Sequence, residues 1–177
     1  MTGQTTPCMD LWGDGSYLAL LAPGLFDGFV GEDWTLERLH AHWASQMRRQ
    51  CLLVWATGFE CDWSIEWRAG ITSETGWRGA TGALRASGGA LCLAQYDSLS
   101  MAAQFADHAL PDADCRLLPL GPGLHTVRVV QRVNPQTYFA TPACHAPDRP
   151  AEFLIEYAPA NAALASWATI PWNDNHV

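Results

Sequence analysis

The clearest hydrophobic pattern in the chain lies between Cys51 and Arg68. Residues 52–56 form a short unbroken apolar run, which is typical of a strand buried on both faces. From Asp62 to Arg68 apolar and polar positions alternate strictly, so that one face of a strand carries Trp63, Ile65 and Trp67. A connection containing Gly58 separates the two segments. The pattern therefore predicts a β-hairpin at the centre of the core.

Further short segments show strand patterns and are bounded by glycine or proline. They are residues 16–22, 80–87, 90–96, 115–120, 125–133 and 152–157. Gly88 and Gly89 separate two of these segments and predict a second hairpin. Residues 1–15 are polar and rich in glycine, and we expect them to be irregular. Residues 134–150 contain four prolines and are expected to form a long surface loop.

The best helical pattern covers residues 32–49, where apolar positions recur at spacings of three and four. They are Leu36, Leu39, Trp43 and Met47. Asp33 is the expected N-cap, and residues 98–108 predict a second, shorter helix with Ser98 as its cap. These elements predict a mainly β protein, an antiparallel β-sandwich with one or two helices packed against it, in a single globular domain spanning residues 1–177.

The charge of the chain is negative and unevenly placed. There are 18 acidic residues against 10 basic ones, every basic residue is arginine, and the net charge is −8. Residues 1–37 and 97–114 contain acids and no arginine. The acidic side chains that we predict to bind a partner lie in these segments: Asp10, Asp14, Asp27, Glu32, Asp33, Asp107, Asp112 and Asp114.

An acidic surface of this kind complements a basic protein, because opposite fields speed encounter and suppress wrong partners. A simpler explanation of these acidic residues is that they keep the protein soluble or cap helices, as Asp33 is expected to do. Without a basic stripe, nucleic acid is not expected as a direct ligand. No apolar run reaches the length of a membrane span and no signal peptide is recognised, so we expect a cytoplasmic protein with reduced cysteines.

Candidate chemistry is sparse. His40 and His42 stand two residues apart on a helix and so point to different faces, which does not suit a metal. Cys144-His145 fits no zinc spacing. Asp62 and Glu66 share one face of a strand. They could act as an acid–base pair in a cleft, or they could simply be polar residues on the outer face of a sheet. We therefore expect neither a cofactor nor enzymatic activity.

The chain contains 9 tryptophans, many for its length. Trp63 and Trp67 are expected in the core, whereas Trp34, Trp77 and Trp172 lie in less regular stretches. Exposed tryptophan is used for stacking on carbohydrate and for protein interfaces. A carbohydrate- or small-molecule-binding β-sandwich module is therefore the alternative hypothesis.

Two segments near the end of the chain resemble a known family. Gly123-Leu124-His125-Thr126-Val127-Arg128-Val129, a loop, and Phe153-Leu154-Ile155-Glu156-Tyr157 resemble the closing strand pair of the competence-protein-J-like family. The resemblance covers about residues 50–158 of this chain. That family consists of small bacterial β-sandwich proteins and includes an inhibitor of a DNA-entry nuclease.

The resemblance implies a protein without enzymatic activity that acts through one partner. Combined with the acidic segments, it leads to our first hypothesis, a cytoplasmic immunity or inhibitor protein that binds and neutralises a bacterial toxin. The expected partner is a basic protein, a nuclease in particular, whose DNA-binding groove the carboxylates would occupy.

Overall fold

The computed structural model of the protein describes residues 5–11, 15–146, 148–160 and 165–173. The strands are β1 Thr5–Leu11, β2 Tyr17–Leu21, β3 Leu52–Ala56, β4 Trp63–Ala69, β5 Arg78–Ala86, β6 Ala90–Gln95, β7 Arg116–Pro119, β8 Gly123–Gln131 and β9 Phe153–Pro159. The α-helices are α1 Leu36–Arg48, α2 Tyr96–Gln104 and the short α3 Pro135–Tyr138, followed by a 3₁₀ turn at Pro142–His145.

The strands form two sheets. The five-stranded sheet has the order β1-β4-β9-β8-β5, and the four-stranded sheet has the order β3-β2-β6-β7. All neighbouring strands are antiparallel except β4 and β9, which run parallel. Helix α1 contacts β3, and α2 contacts β6 and β2, so both helices lie on the four-stranded sheet. The predicted mainly β sandwich with packed helices is confirmed, with a parallel pair and a third short helix as additions.

The core lies between the sheets, where the alternation in β4 places its apolar side chains. Trp63, Ile65 and Trp67 are buried, as predicted. The two tryptophan rings contact aromatic residues of β9: Trp63 packs against Phe153, and Trp67 stacks on Tyr157. Large aromatic side chains bury more apolar surface than other residues and dominate core energetics. These contacts stabilise the pairing of β9 with β4.

The two predicted hairpins are wrong. Strand β3 pairs with β2 in the four-stranded sheet, whereas β4 pairs with β1 and β9 in the other sheet. Likewise β5 pairs with β8, and β6 pairs with β2 and β7. Residues 57–62 and 87–89 therefore cross between the sheets instead of turning back within one. Hydrophobic periodicity predicts which side chains of a strand face the core, but it does not predict which strand will pair with it.

Three element boundaries also differ from the sequence prediction. Residues 5–11 form the edge strand β1, although an irregular segment was expected. Helix α1 begins at Leu36, and its cap is Thr35, whose Oγ1 accepts a hydrogen bond from the backbone N–H of Arg38 (3.3 Å). Asp33 stays in the preceding turn. Helix α2 begins at Tyr96 and ends at Gln104, earlier than predicted at both ends.

The segment 165–173 packs back onto the sandwich. Trp167 is buried against the body. The backbone carbonyl of Pro171 accepts a hydrogen bond from Ala56 N–H (3.1 Å), and the Tyr17 hydroxyl donates to Asn173 Oδ1 (2.6 Å). No helix in the described part of the chain is long and apolar enough to cross a membrane.

Candidate functional site

A groove opens where the loop between β2 and α1 meets the carboxyl end of α2. The backbone N–H groups of Val30 and Gly31 both donate to the carbonyl of Ala103, at 2.9 and 3.0 Å, and hold the loop on the helix. A Cβ at Gly28 would lie 2.9 Å from the Cβ of Ala102, so the close approach of loop and helix requires glycine there. The residues that form the groove were thus brought together by backbone contacts.

The groove has a volume of about 240 Å³ and mixes aromatic and charged side chains. Its lining includes Phe26, Asp27, Phe29, Phe105, His108 and Leu110, and we call it the aromatic groove. Phe29 is 43% exposed and Phe105 is 41% exposed, one on each wall. Met101, near the end of α2, is also exposed, but it does not line the groove. Clustered exposed apolar side chains mark interaction sites more often than single ones do.

Asp27 lies in the wall of the aromatic groove and also shapes it. Its Oδ1 accepts a hydrogen bond from the backbone N–H of Phe29 (3.3 Å). Its backbone carbonyl accepts from His42 Nε2 (2.6 Å), and its N–H donates to Gln46 Oε1 (3.4 Å). These contacts fix the loop against α1, and the Asp27 residue remains exposed. The position suits a carboxylate that meets a partner without first having to be ordered.

Residues 105–115, which we call the acidic loop, run from the aromatic groove to β7. Asp107 is exposed and follows Ala106, a residue of the groove lining, but does not itself line the groove. Asp112 is engaged within the loop itself: its Oδ1 accepts from the backbone N–H of Asp114 (3.1 Å) and of Cys115 (3.2 Å). Its Oδ2 lies 3.1 Å from Nε2 of His108.

The pKa of Asp112 reflects these contacts. Burial opposes ionisation of this carboxyl, but hydrogen bonds from Cys115, His108 and the backbone N–H of Asp114 outweigh it and hold the pKa below its ordinary value. Asp112 is therefore ionised and positions the loop, whereas Asp114 is exposed.

The predicted partner-binding residues fall into separate places. Asp27 lines the aromatic groove, whereas Asp107 lies between the lining residues Ala106 and His108 without being part of the lining. Glu32 and Asp33 are exposed just after Gly31, where the loop is bonded to α2. Asp10 lies on the edge strand β1, opposite Ser64, and does not line the groove. Asp14 lies outside the described residues. Sequence patterns did not single out the three phenylalanines of the groove as binding residues, and only Phe26 and Phe29 carry a signal, as aromatic residues set among glycine and aspartate.

The outer face of the five-stranded sheet carries an ion-pair network. Its members are Glu66, Arg68, Glu74, Arg128, Arg132 and Glu156. Arg132 reaches Glu66 at 2.7 Å and Glu74 at 2.6 Å, and Arg128 reaches Glu156 at 2.7 Å. The network holds three acids and three arginines. The net negative charge of the protein is consequently carried elsewhere.

The alternative chemistry finds little support in this geometry. Glu66 is engaged in the ion-pair network, and Cys144 donates its thiol to the carbonyl of Thr141 (3.1 Å). Burial, together with the carboxylates of Glu152 and Asp62, raises the pKa of Cys61 to about 12, which keeps it a thiol. Among the described residues, no three His, Cys, Asp or Glu side chains are grouped so that they could hold a metal ion.

The tryptophans considered for carbohydrate stacking are differently arranged. Trp77 is exposed, whereas Trp34 and Trp172 are half-buried. The guanidinium of Arg78 lies 4.3 Å from the ring centroid of Trp77 and 4.5 Å from that of Trp172. A face of each ring is thus occupied by a cation–π contact instead of forming an open platform.

Comparison with known proteins adds evidence on the fold. No protein-family model matches the chain, and no curated protein matches its sequence. A solved structure described as crocagin biosynthetic gene J shares 9% identity at a TM-score of 0.54, covering 90% of this chain and 99% of the other. ComJ from Bacillus subtilis, an inhibitor of the DNA-degrading activity of NucA, shares 9% identity at a TM-score of 0.51, covering 90% of this chain and 100% of its own. The resemblance to the competence-protein-J-like family is thereby confirmed at the level of the fold.

Proposed function

We propose that the protein is an inhibitor that binds a basic protein partner, a nuclease in particular, through the aromatic groove and the acidic loop. The observation that carries the proposal is the presence of exposed Phe29 and Phe105 together with the carboxylate of Asp27 on the same groove. Buried aromatic anchors supply most of the affinity of protein interfaces, and surrounding charges supply on-rate and specificity. The fold is shared with ComJ, whose described role is nuclease inhibition.

The proposed mechanism is steric and electrostatic. Phe29 and Phe105 would be covered by the partner, while Asp27 and Asp107 would pair with its Arg or Lys side chains. Glu32 and Asp33 would extend the negative field beside the groove. If the partner is a nuclease, carboxylates standing where DNA phosphates bind would block substrate. In this proposal the protein acts in the cytoplasm, as an immunity protein against a bacterial toxin.

The first test is to find the partner. The tagged full-length protein is used to capture proteins from its own cell lysate at moderate salt, followed by mass spectrometry. We expect one stoichiometric basic protein whose toxicity, or whose nuclease activity, is relieved by co-expression. The absence of any stoichiometric partner would refute the proposal.

The second test assigns the surface. Phe29→Ser and Phe105→Ser should each weaken binding of the captured partner at least about tenfold, mainly through faster dissociation. Asp27→Asn should slow association instead, more strongly at low salt. The matched control is Ile71→Ser, because Ile71 is 42% exposed but lies away from the groove, after β4 of the five-stranded sheet. Equal loss of affinity in control and test variants would argue against this interface.

A further inference from the structure

The aromatic groove lies at the carboxyl end of α2, where the helix dipole is negative. Helix α2 ends at Gln104, and its last turn contains no basic residue, whereas the last turn of α1 contains Arg48. Unpaired backbone carbonyls give a helix C-terminus partial negative charge, which favours a cation there. Among the described residues that line the groove none is arginine, and Nε2 of the lining His108 lies 3.1 Å from Asp112 Oδ2. The groove therefore presents negative charge that no arginine of its own lining balances.

Asp27 adds a carboxylate that is available to a cation. Its Oδ1 accepts one hydrogen bond, from the backbone N–H of Phe29 (3.3 Å). Within the described part of the chain its Oδ2 has no hydrogen-bond partner, and the carboxylate makes no ion pair. The Asp27 residue is exposed and lines the groove. A charge-assisted hydrogen bond from an incoming cation would thus not have to break an existing ion pair.

The phenylalanine rings of the groove are not stacked on other rings. In the described residues, Phe26, Phe29 and Phe105 make neither an aromatic pair nor a cation–π contact, whereas the exposed Phe59 stacks on Phe139 at 5.5 Å. The face of an aromatic ring attracts a cation, and arginine makes this contact more often than lysine. Unstacked rings beside a free carboxylate are therefore suited to hold one cationic side chain.

The shape of the groove favours arginine over lysine. Its volume of about 240 Å³ corresponds to about eight water molecules, at roughly 30 Å³ each. Apart from Asp27 and His108 the lining consists of apolar side chains and glycine, along which the methylene stem of a long side chain can lie. A guanidinium is planar, weakly hydrated and able to stack on a ring while it offers two parallel donors to a carboxylate. An ammonium is a compact, strongly hydrated charge.

We infer that the aromatic groove receives an arginine side chain of the protein partner. The inference rests on the proposed function and names the group that this site recognises. In this arrangement the guanidinium pairs with Asp27 and packs against the rings of Phe29 and Phe105, beside the carboxyl end of α2. The phenylalanines thus serve as the walls of a cation site as well as apolar contact surface.

The groove is tested with small probes that need no partner. Full-length ¹⁵N-labelled protein is titrated with N-acetyl-arginine amide while two-dimensional NMR spectra are recorded. We expect saturable shifts of the backbone signals of Asp27, Phe29 and Phe105. The lysine analogue should bind at least about fivefold more weakly, and the uncharged N-acetyl-citrulline amide should give no saturable shift. No saturation with the arginine probe, or equal binding of the lysine, citrulline or leucine analogue, would overturn the inference.

Variants show whether the probe is held by the groove or by net charge. Asp27→Asn should weaken binding of the arginine probe at least about tenfold, and Phe105→Leu at least about threefold, since leucine is apolar but has no aromatic face. The matched control is Asp62→Asn, which removes one exposed carboxylate outside the groove and should bind the probe as the wild type does. The same spectra show whether each variant is folded. Equal weakening in Asp27→Asn and Asp62→Asn would overturn the inference.

The captured partner separates the two proposals. Each surface arginine of the partner is replaced by lysine, and one of these changes should weaken binding at least about tenfold. If none does, while Phe29→Ser still weakens binding, the inference fails and the proposed function stands. If the arginine probe binds as described but no partner is captured, the proposed function fails, and with it the assignment of the arginine to a partner.

Discussion

Glu156 gives the sharpest test of how the five-stranded sheet is stabilised. It lies on β9 with a side chain that is 0% exposed. Its carboxylate accepts hydrogen bonds from Thr72 Oγ1 (2.5 Å), Thr72 N–H (3.1 Å) and Arg128 (2.7 Å), and Arg68 lies 3.7 Å away. Replacement by glutamine keeps the shape of the side chain, removes its charge and turns an N–H₂ group towards one of these donors.

The expected loss can be bounded from the structure. Removing one partner of a buried ion pair costs about 3–5 kcal/mol. The side chains of Arg128 and Arg68 are 17% and 21% exposed, so water recovers part of their solvation, and glutamine retains one acceptor. We therefore expect Glu156→Gln to lower the free energy of unfolding by about 2–3 kcal/mol. For a chain of this length the melting temperature should fall by roughly 4–12 °C.

The assay is thermal and guanidinium unfolding followed by circular dichroism and tryptophan fluorescence. The denaturant midpoint should fall with an unchanged m value, because the fold is unaltered. Glu74→Gln is the matched control: the Glu74 side chain is in the same network but 32% exposed, and its loss should cost less than about 1 kcal/mol. A Glu156→Gln protein as stable as the wild type would show that the buried pair contributes no net stability.

Further predictions concern packing, pH and the acidic loop. Gly82→Ala should lower the free energy of unfolding by about 1–3 kcal/mol, because the new Cβ would lie 2.9 Å from Nε1 of Trp167. The measurement is urea unfolding, and the control is Gly121→Ala, since Gly121 has open space around it. Hydrogen bonding from Arg132 holds the pKa of Glu74 below its ordinary 4.5, against the opposing effect of burial. The Glu74 carboxylate therefore adds to the free energy of unfolding above pH 4.5, and this addition is lost as the pH falls further. Below about pH 4.5 the free energy of unfolding should consequently fall less steeply with pH in Glu74→Gln than in the wild type. Asp112→Ala should speed hydrogen exchange at the two backbone amides that it accepts from, by about tenfold or more, and unchanged protection would refute its role in holding the loop.

The sequence predicted faces of strands better than it predicted their neighbours. Alternation in β4 placed Trp63 and Trp67 correctly in the core, because a side-chain period of two is a local property. It did not reveal that Ile65 pairs with Phe153 in a parallel ladder, because pairing is decided by contacts distant along the chain. Strand β1 was missed for the same reason: its sequence shows no clear alternation, and its place depends on pairing with β4.

The candidate site was predictable in its charge and not in its shape. The uneven distribution of acids indicated acidic segments, one of which contains the groove-lining Asp27. It did not indicate Phe29 and Phe105, which line the same groove because backbone hydrogen bonds to Ala103 hold one loop against a helix distant in sequence. Composition also does not separate a carboxylate that organises a loop, such as Asp112, from one that faces solvent.

The position of β9 determines when the five-stranded sheet can be completed during synthesis of the protein. It is the last of the described strands, yet it lies in the middle of its sheet, between β4 and β8. During translation no strand bridges β4 and β8 within this sheet until residues 153–159 have left the ribosome. The five-stranded sheet thus remains in two pieces in the nascent chain, and pairings so distant in sequence form slowly. The finished scaffold should therefore become available only after β9 has emerged and paired with both β4 and β8.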